Sequence, residues 1–429
     1  MSDCGGMIMC MGNFSSSSRR AFVAVCAVCL LLPSAGLAAP AIDRAWQEVY
    51  SSDRDDQAYG VSIDDGGNVY VAGYTLGTLG ETSHGSRDAF VAKLLPDGTR
   101  AWERQFGTAS DDGAYGVTCG LDGSIYVAGG TDDGLHGAGH IGGRDGVLVK
   151  YSPDGARLWT RQFGSPGDES IWSASTDPSG DILVVGSREN GGASDAIVTR
   201  FASDGTERWT WVSGIDGSDY AFDISSDGLG NVFVGGAGWP EPGYSDVYVT
   251  KLNPDGEAEW TKVLGTDGQD RANGIAADGL GNVYLSGEYD GGGTFLWKLN
   301  GQGERLWGEI LDGAMEGWGL YGDADGAVML GRSGMSPANI ELIGYDAAGN
   351  PAWTSSTDSG FFQIFGRDLA FHEEHGYVTA GYTRGTGPNG WGRDLFVERY
   401  EIVPEPATLS LLLISLPPLA FRRRIAVRR

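Results

Sequence analysis

Acidic residues recur at one place in this chain's repeating pattern: Asp55-Asp56, Asp111-Asp112, Asp168-Glu169, Asp219 and Asp270. Three residues after each group stands Tyr59, Tyr115, Trp172, Phe222 or Asn273; Trp318 takes this place after a one-residue slip and Arg367 takes it in a last copy. Carboxylates accept hydrogen bonds from hydroxyl groups, and aromatic faces stack on the apolar faces of sugars. Together they suit a glycan. The same residue types also have structural uses, because Asp caps turns and aromatic side chains pack between sheets.

Other catalytic signals are sparse. The chain has no G-x-S-x-G elbow and no H-E-x-x-H helix, and its five histidines include only two local pairs, His136 with His140 and His372 with His375. The second pair is three apart and falls in a turn between strands. Carboxylates are too numerous for a glycosidase pair to be singled out by spacing. The expectation is therefore a non-catalytic binding or scaffold protein. A polysaccharide-acting hydrolase or lyase with acids at a channel mouth is the rival, and a purely structural matrix protein is a third reading. No cofactor is expected. Ca²⁺, which takes oxygen ligands, is the one ion the acidity invites, though no twelve-residue calcium loop supports it. A net charge of −27 disfavours nucleic acid as a partner.

The elements that must hold these residues repeat. Tryptophan returns at Trp46, Trp102, Trp159, Trp209, Trp260, Trp307 and Trp353, every 46 to 57 residues. A unit of that length cannot bury its own apolar face, so copies must stack. The first full copy reads as four strands, with short runs rich in Val, Tyr and Phe bounded by Gly, Asp and Asn, and no helical periodicity. Asp97-Gly98, Asp154-Gly155, Asp204-Gly205 and Asp255-Gly256 mark the hairpin between third and fourth strands. Full copies occupy about 57–106, 113–163, 170–212, 220–264, 271–310 and 317–355. A last copy, about 366–401, has only three strands, while residues 42–50 form a lone Trp-bearing strand. The spacing therefore predicts an all-β, seven-bladed β-propeller over 42–402, with four-stranded antiparallel blades and a ring closed by the amino-terminal strand. Each Trp is expected to be buried between blades. The inner-strand starts, with their acids and aromatics, should ring one mouth of the central channel. Variable loops such as 77–87, 132–144, 238–245 and 384–393 should share that face.

Both termini read as addresses. Arg19-Arg20 precede the apolar run 21–38, so residues 1–39 read as a signal peptide and the chain as exported. Four of the five cysteines lie in that leader, which leaves Cys119 alone and no internal disulfide. At the other end Pro404, Glu405 and Pro406 precede an apolar segment, 407–421, and a tail containing Arg422, Arg423 and Arg424. Residues 403–429 resemble a PEP-CTERM sorting signal. That resemblance implies processing by an exosortase-type membrane protease, transient anchoring in the membrane by the carboxyl-terminal segment, and delivery to the cell surface or an exopolysaccharide matrix. The apolar segment is shorter than the roughly 20 residues that span a bilayer, and Pro417-Pro418 interrupts it.

The stretches GNVYVAGYT (67–75), DAFVAKLLPDG (88–98) and SDVYVTKLNPDG (245–256) resemble the SBBP-type β-propeller repeat of secreted bacterial proteins. This implies the fold and an exported location, and brings no catalytic residue. The Asp-Gly turn followed by Trp also resembles the tryptophan-docking repeats of quinoprotein dehydrogenases. Those are eight-bladed and commonly carry adjacent cysteines, which this chain lacks.

Overall fold

The computed structural model describes residues 41–403, apart from 81, 216, 240–242, 267, 291, 312–316, 334–337, 358–362 and 385–391. The signal-peptide and sorting-signal assignments, including Pro404 to Pro406 and the terminal arginines, lie outside the described residues, as does most of the 384–393 loop. Among the described residues no helix is long and apolar enough to cross a membrane.

Seven four-stranded antiparallel sheets form the protein. Six are sequential meanders, in which each strand pairs with the next in the chain. Blade 1 is typical, with Asp56–Ile63 innermost, then Val69–Thr75, Asp88–Leu94 and outermost Arg100–Phe106. Its second strand is buried throughout and its third at every residue but Lys93, because a neighbouring blade covers each face, which is why both read as nearly continuous Val, Ala, Tyr and Phe. The outer strand has only neighbours on one side, and it carries charge.

The seventh sheet closes the ring. Its strands Gln363–His372, Gly376–Arg384 and Arg393–Val403 come from the end of the described chain, and the opening strand Ala41–Tyr50 completes it as the outermost member. Val49 stands opposite Phe396 and Trp46 opposite Arg399. The expected closure is therefore present, one residue longer than residues 42–50. The pairing is reinforced by an ion pair between Arg44 and the fully buried Glu398, at 2.9 Å.

The recurring tryptophans are only half-buried, not enclosed between blades. Each sits on an outer strand, and Trp46, Trp102, Trp209, Trp260 and Trp307 lean onto the hairpin of the following blade. The indole N–H of Trp46 donates to the Pro96 carbonyl at 2.9 Å, Trp102 to Pro153 at 3.0 Å, Trp209 to Pro254 at 3.1 Å, and Trp307 to Ala347 at 3.0 Å. An outer strand has solvent on one side, so a side chain there cannot be covered completely. What it can do is tie blade to blade with one hydrogen bond and one ring face. The hairpin glycine is required twice over. Gly256 has φ of +84°, and a Cβ there would lie 2.6 Å from the Trp209 ring. Trp46 makes the same contact from the closing strand to blade 1, so the tie runs across the closure as well.

Candidate functional site

Every inner strand except the short Leu320–Gly322 of blade 6 contains a β-bulge at the same place. In blade 1 the register jumps from Ala58 to Gly60, leaving Tyr59 as the extra residue. Tyr115, Trp172, Phe222, Asn273 and Arg367 are the extra residues in blades 2, 3, 4, 5 and 7. A bulge interrupts the alternation of side chains and turns one outward from its strand. Repeated around a ring of inner strands, it turns them all into the channel.

There they form a continuous wall. Tyr59 meets Tyr115 edge-on at 5.2 Å between ring centres, Tyr115 meets Trp172 at 5.6 Å, and Trp172 meets Phe222 at 6.2 Å. Asn273 follows, its amide donating to the Gly317 carbonyl at 3.2 Å. Trp318 represents blade 6. The Arg367 guanidinium then closes the circle, 4.2 Å from the centre of the Trp318 ring and 5.4 Å from that of Tyr59. Arg271 stacks on Trp318 as well, at 5.2 Å, while paired with Glu288 at 2.8 Å. These side chains surround a cavity of about 330 Å³, with Ser173, Asp223 and Asp368 completing its lining. That volume lies at the lower end of the range for small-ligand pockets.

The predicted acids are elsewhere. None of Asp55, Asp56, Asp111, Asp112, Asp168, Glu169, Asp219 and Asp270 lines the cavity. Asp56, Asp112, Glu169, Asp219 and Asp270 are buried where consecutive blades meet. Asp112 accepts from the Thr108 N–H at 2.5 Å and the Thr108 hydroxyl at 2.9 Å, and Asp270 repeats this with Thr266. Ser52 and Ser165 do the same for Asp56 and Glu169. These acids cap the loops that lead into the inner strands. Asp219 instead accepts from the Ala196 N–H at 3.2 Å. Asp55 and Asp168 accept from the backbone N–H of Arg393 and Arg144 in the preceding blade, at 3.1 and 2.9 Å, and Asp111 accepts from the Ser86 hydroxyl. Position along a strand set the expectation of a channel mouth, but an acid three residues before the bulge points to the opposite side from the bulged residue.

Two carboxylates do face the channel, and the sequence reading missed them. The residue after the bulge is Gly60, Gly116, Ser173 or Gly274 in four blades, because inner strands crowd there; a Cβ on Gly116 would lie 2.6 Å from the Ala174 nitrogen. In blades 4 and 7 it is Asp223 and Asp368. Asp223 accepts from the Ile275 N–H at 2.9 Å and the Ser173 hydroxyl at 2.9 Å, linking three blades. Asp368 accepts from the Val61 N–H at 2.8 Å across the closure. Their appearance where other copies carry Gly or Ser was the available signal.

Enclosure by protein pushes the Asp223 carboxyl up to about 6 and that of Asp368 to about 7, the latter also feeling the charge of Asp223. Both values stand above those of the unfolded chain, so between roughly pH 4 and 7 the folded protein holds protons that the unfolded chain has released. Stability contributed by these groups is therefore lost as pH rises through that window. Since both carboxyls are partly exposed at the cavity, we expect a discounted fall on the order of 1–2 kcal/mol from pH 4 to 8. Urea denaturation across this range should show it, with a shallower slope in Asp223→Asn/Asp368→Asn. Equal slopes would contradict the assignment.

His372 and His375 stack on each other in the turn between the first two strands of blade 7, and among the described residues no group of three or more His, Cys, Asp or Glu could hold a metal ion.

Comparison with known proteins agrees with the repeat. Residues 51–81 and 259–288 match the SBBP β-propeller repeat, and residues 178–206 match a β-propeller domain of unknown function, DUF5122. A 118-residue stretch is 30% identical to the regulatory protein FlaEY of Caulobacter vibrioides; it covers 26% of this chain and 12% of that protein. Among solved structures, the chain is similar to the WD40 domain of Neurospora crassa Pan2, with a TM-score of 0.51 and 10% identity over 83% of this chain and 95% of that one. It is also similar to the WD40 domain of Toxoplasma gondii coronin, with a TM-score of 0.50 and 9% identity over 86% and 89%. At such identities the likeness extends to the fold alone.

Proposed function

We propose that this β-propeller is an exported, non-catalytic binding protein of the cell surface or extracellular matrix, and that the bulged ring at its channel mouth holds a glycan. One observation carries the reading: the same bulge turns a large side chain into the channel in blade after blade, and those side chains enclose a space of ligand size. Aromatic faces suit the C–H faces of a sugar, while Asn273, Ser173 and the two guanidiniums supply polar contacts. Arg367 and Arg271 favour sugars bearing carboxylate groups. Export rests on the leader at 1–39, and sorting by an exosortase-type protease rests on the Pro404-Glu405-Pro406 signal.

The test is equilibrium binding of the full chain to a panel of neutral and uronic-acid oligosaccharides, with product analysis of the same mixtures. Retention of acidic members with no new reducing ends or unsaturated products supports the proposal. A polysaccharide-acting hydrolase or lyase is the second reading, favoured by the raised carboxyl values of Asp223 and Asp368 in the channel. It requires turnover that Asp368→Asn abolishes. If neither binding nor turnover occurs, a purely structural matrix role is what remains.

A further inference from the structure

The seams between blades contain a second repeated arrangement, independent of the channel. At five of the seven seams an acid near the start of the third strand approaches the acid that opens the next blade's inner strand: Asp88 with Asp112, Asp145 with Glu169, Asp195 with Asp219, Asp246 with Asp270, and Asp394 with Asp56. In three of these pairs both acids are buried, while Asp195 and Asp246 are partly exposed; buried carboxylates side by side repel each other, and each also loses hydration. One such pair would be an accident of packing; five call for a reason.

The pair between blades 1 and 2 is the most complete. Asp88 and Asp112 are each 1% exposed. One oxygen of each is satisfied: Asp88 Oδ2 accepts from the His84 N–H and the Gln105 amide, both at 2.8 Å, and Asp112 Oδ2 accepts from Thr108. The other oxygens, Asp88 Oδ1 and Asp112 Oδ1, have no donor, and neither do Glu169 Oε2, Asp219 Oδ1 and Asp394 Oδ1 at the equivalent seams. The Thr131 hydroxyl, fully buried opposite Asp112, is held by Asp133, donating to its carbonyl at 3.0 Å and accepting from its N–H at 3.3 Å.

The space between the acids is kept open by glycine. A Cβ built on Gly107 would lie within 2.9 Å of the donor-less Asp88 Oδ1 and of Asp112 Oδ2, which Thr108 already reaches; one on Gly164 would lie within 3.2 Å of the donor-less Glu169 Oε2 and of Asp145 Oδ1, and one on Gly265 within 3.0 Å of Asp246 Oδ1 and Asp270 Oδ2. Carboxylates of consecutive blades thus converge on equivalent points, next to a residue without a side chain.

We infer that these seams are binding sites for Ca²⁺, with the Asp88–Asp112 seam as the type site, and that the cation joins neighbouring blades by coordinating a carboxylate from each. A hard divalent cation takes oxygen ligands, satisfies oxygens that no N–H or O–H reaches, and cancels the repulsion that the bare pair suffers. Two carboxylates with neutral oxygens and water suit the weak binding of extracellular modules, with a dissociation constant of about 10⁻⁴ to 10⁻³ M. The pairing fails at the seams leading into blades 6 and 7, where Thr294 and Asn339 open or nearly open the third strands in place of an acid.

The experiment is a calorimetric titration of the EDTA-dialysed full chain with CaCl₂ at constant ionic strength, alongside thermal melts in CaCl₂ and MgCl₂. The expected result is saturable heat and a melting temperature that rises with Ca²⁺ more than with Mg²⁺. Asp88→Asn/Asp112→Asn should lose one equivalent of sites, or at least tenfold of affinity at one site. Gly107→Ala, which fills the cradle while keeping both acids, should do the same. Should the paired variant fail to fold, Gly107→Ala and the unmodified chain still decide the matter. Absence of heat and of any Ca²⁺-dependent melting shift at 10 mM overturns the inference, as does an unchanged titration in both variants. Stabilisation of Asp112→Asn without added metal, together with no Ca²⁺ response, would mean that the pair shares a proton instead.

Discussion

Removing residues 41–50 from the full chain should convert a single cooperative melt into a broad, early one. Blade 7 would keep three strands, and the backbone of Arg393–Val403 would become an open edge. The deletion also removes the Trp46 tie to Pro96 and leaves Glu398, fully buried, without Arg44. Loss of a buried ion-pair partner alone costs about 3–5 kcal/mol, and the lost strand pairing adds to it. Because a closed ring distributes strain to every seam, opening one should also uncouple the blades. Differential scanning calorimetry is the check. A van't Hoff enthalpy well below the calorimetric one, with concentration-dependent aggregation, is the expected outcome; an unchanged two-state transition would show that the closing strand is dispensable.

The second large effect concerns binding. Trp172 is 36% exposed and sits between Tyr115 and Phe222 in the channel wall, so Trp172→Ala takes away a stacking platform with little cost to the fold. Oligosaccharide affinity should fall roughly 10- to 100-fold, the value of one aromatic anchor at about 1–3 kcal/mol. Arg367→Ala should act more selectively. It removes the guanidinium that bridges Trp318 and Tyr59, and should reduce the preference for acidic over neutral sugars to what Arg271 alone supplies. Isothermal titration of both variants with the same oligosaccharides separates the two roles. If both bind as the parent does, the ligand does not sit in the channel.

Much of the fold was legible because repetition converts weak local signals into a strong one. Asp-Gly turns recurring before Trp102, Trp159, Trp209 and Trp260 marked the hairpins, and an orphan strand at one end with a three-stranded copy at the other marked the closure. The face on which a side chain lands was less legible. Asp56 and Tyr59 occupy one short strand, yet the bulge at Tyr59 sends the ring into the channel while Asp56 turns into the seam. No pattern of residue types in a single sequence announces that bulge. It becomes visible only when the crowding of inner strands is known, since the residue after it must usually be as small as Gly60 or Gly116.

The same crowding explains Asp223 and Asp368. A carboxylate in a place built for glycine can be accommodated only by spending its oxygens on neighbouring backbone, as both do. The tryptophans erred in the other direction. Periodicity identified them as inter-blade contacts, but their place on outer strands limits how far they can be covered, and the hydrogen bond to the next hairpin does what full burial was expected to do. In the second strands, by contrast, unbroken apolar runs coincide with burial on both faces.

Oxidative footprinting of the full chain, read by mass spectrometry with and without a saturating acidic oligosaccharide, addresses the ring of bulged side chains most directly. Protection concentrated on the peptides carrying Tyr59, Tyr115, Trp172, Phe222 and Trp318 is the predicted result. Protection confined to the outer loops 77–87 and 132–144, with the channel residues oxidised equally in both samples, would contradict it.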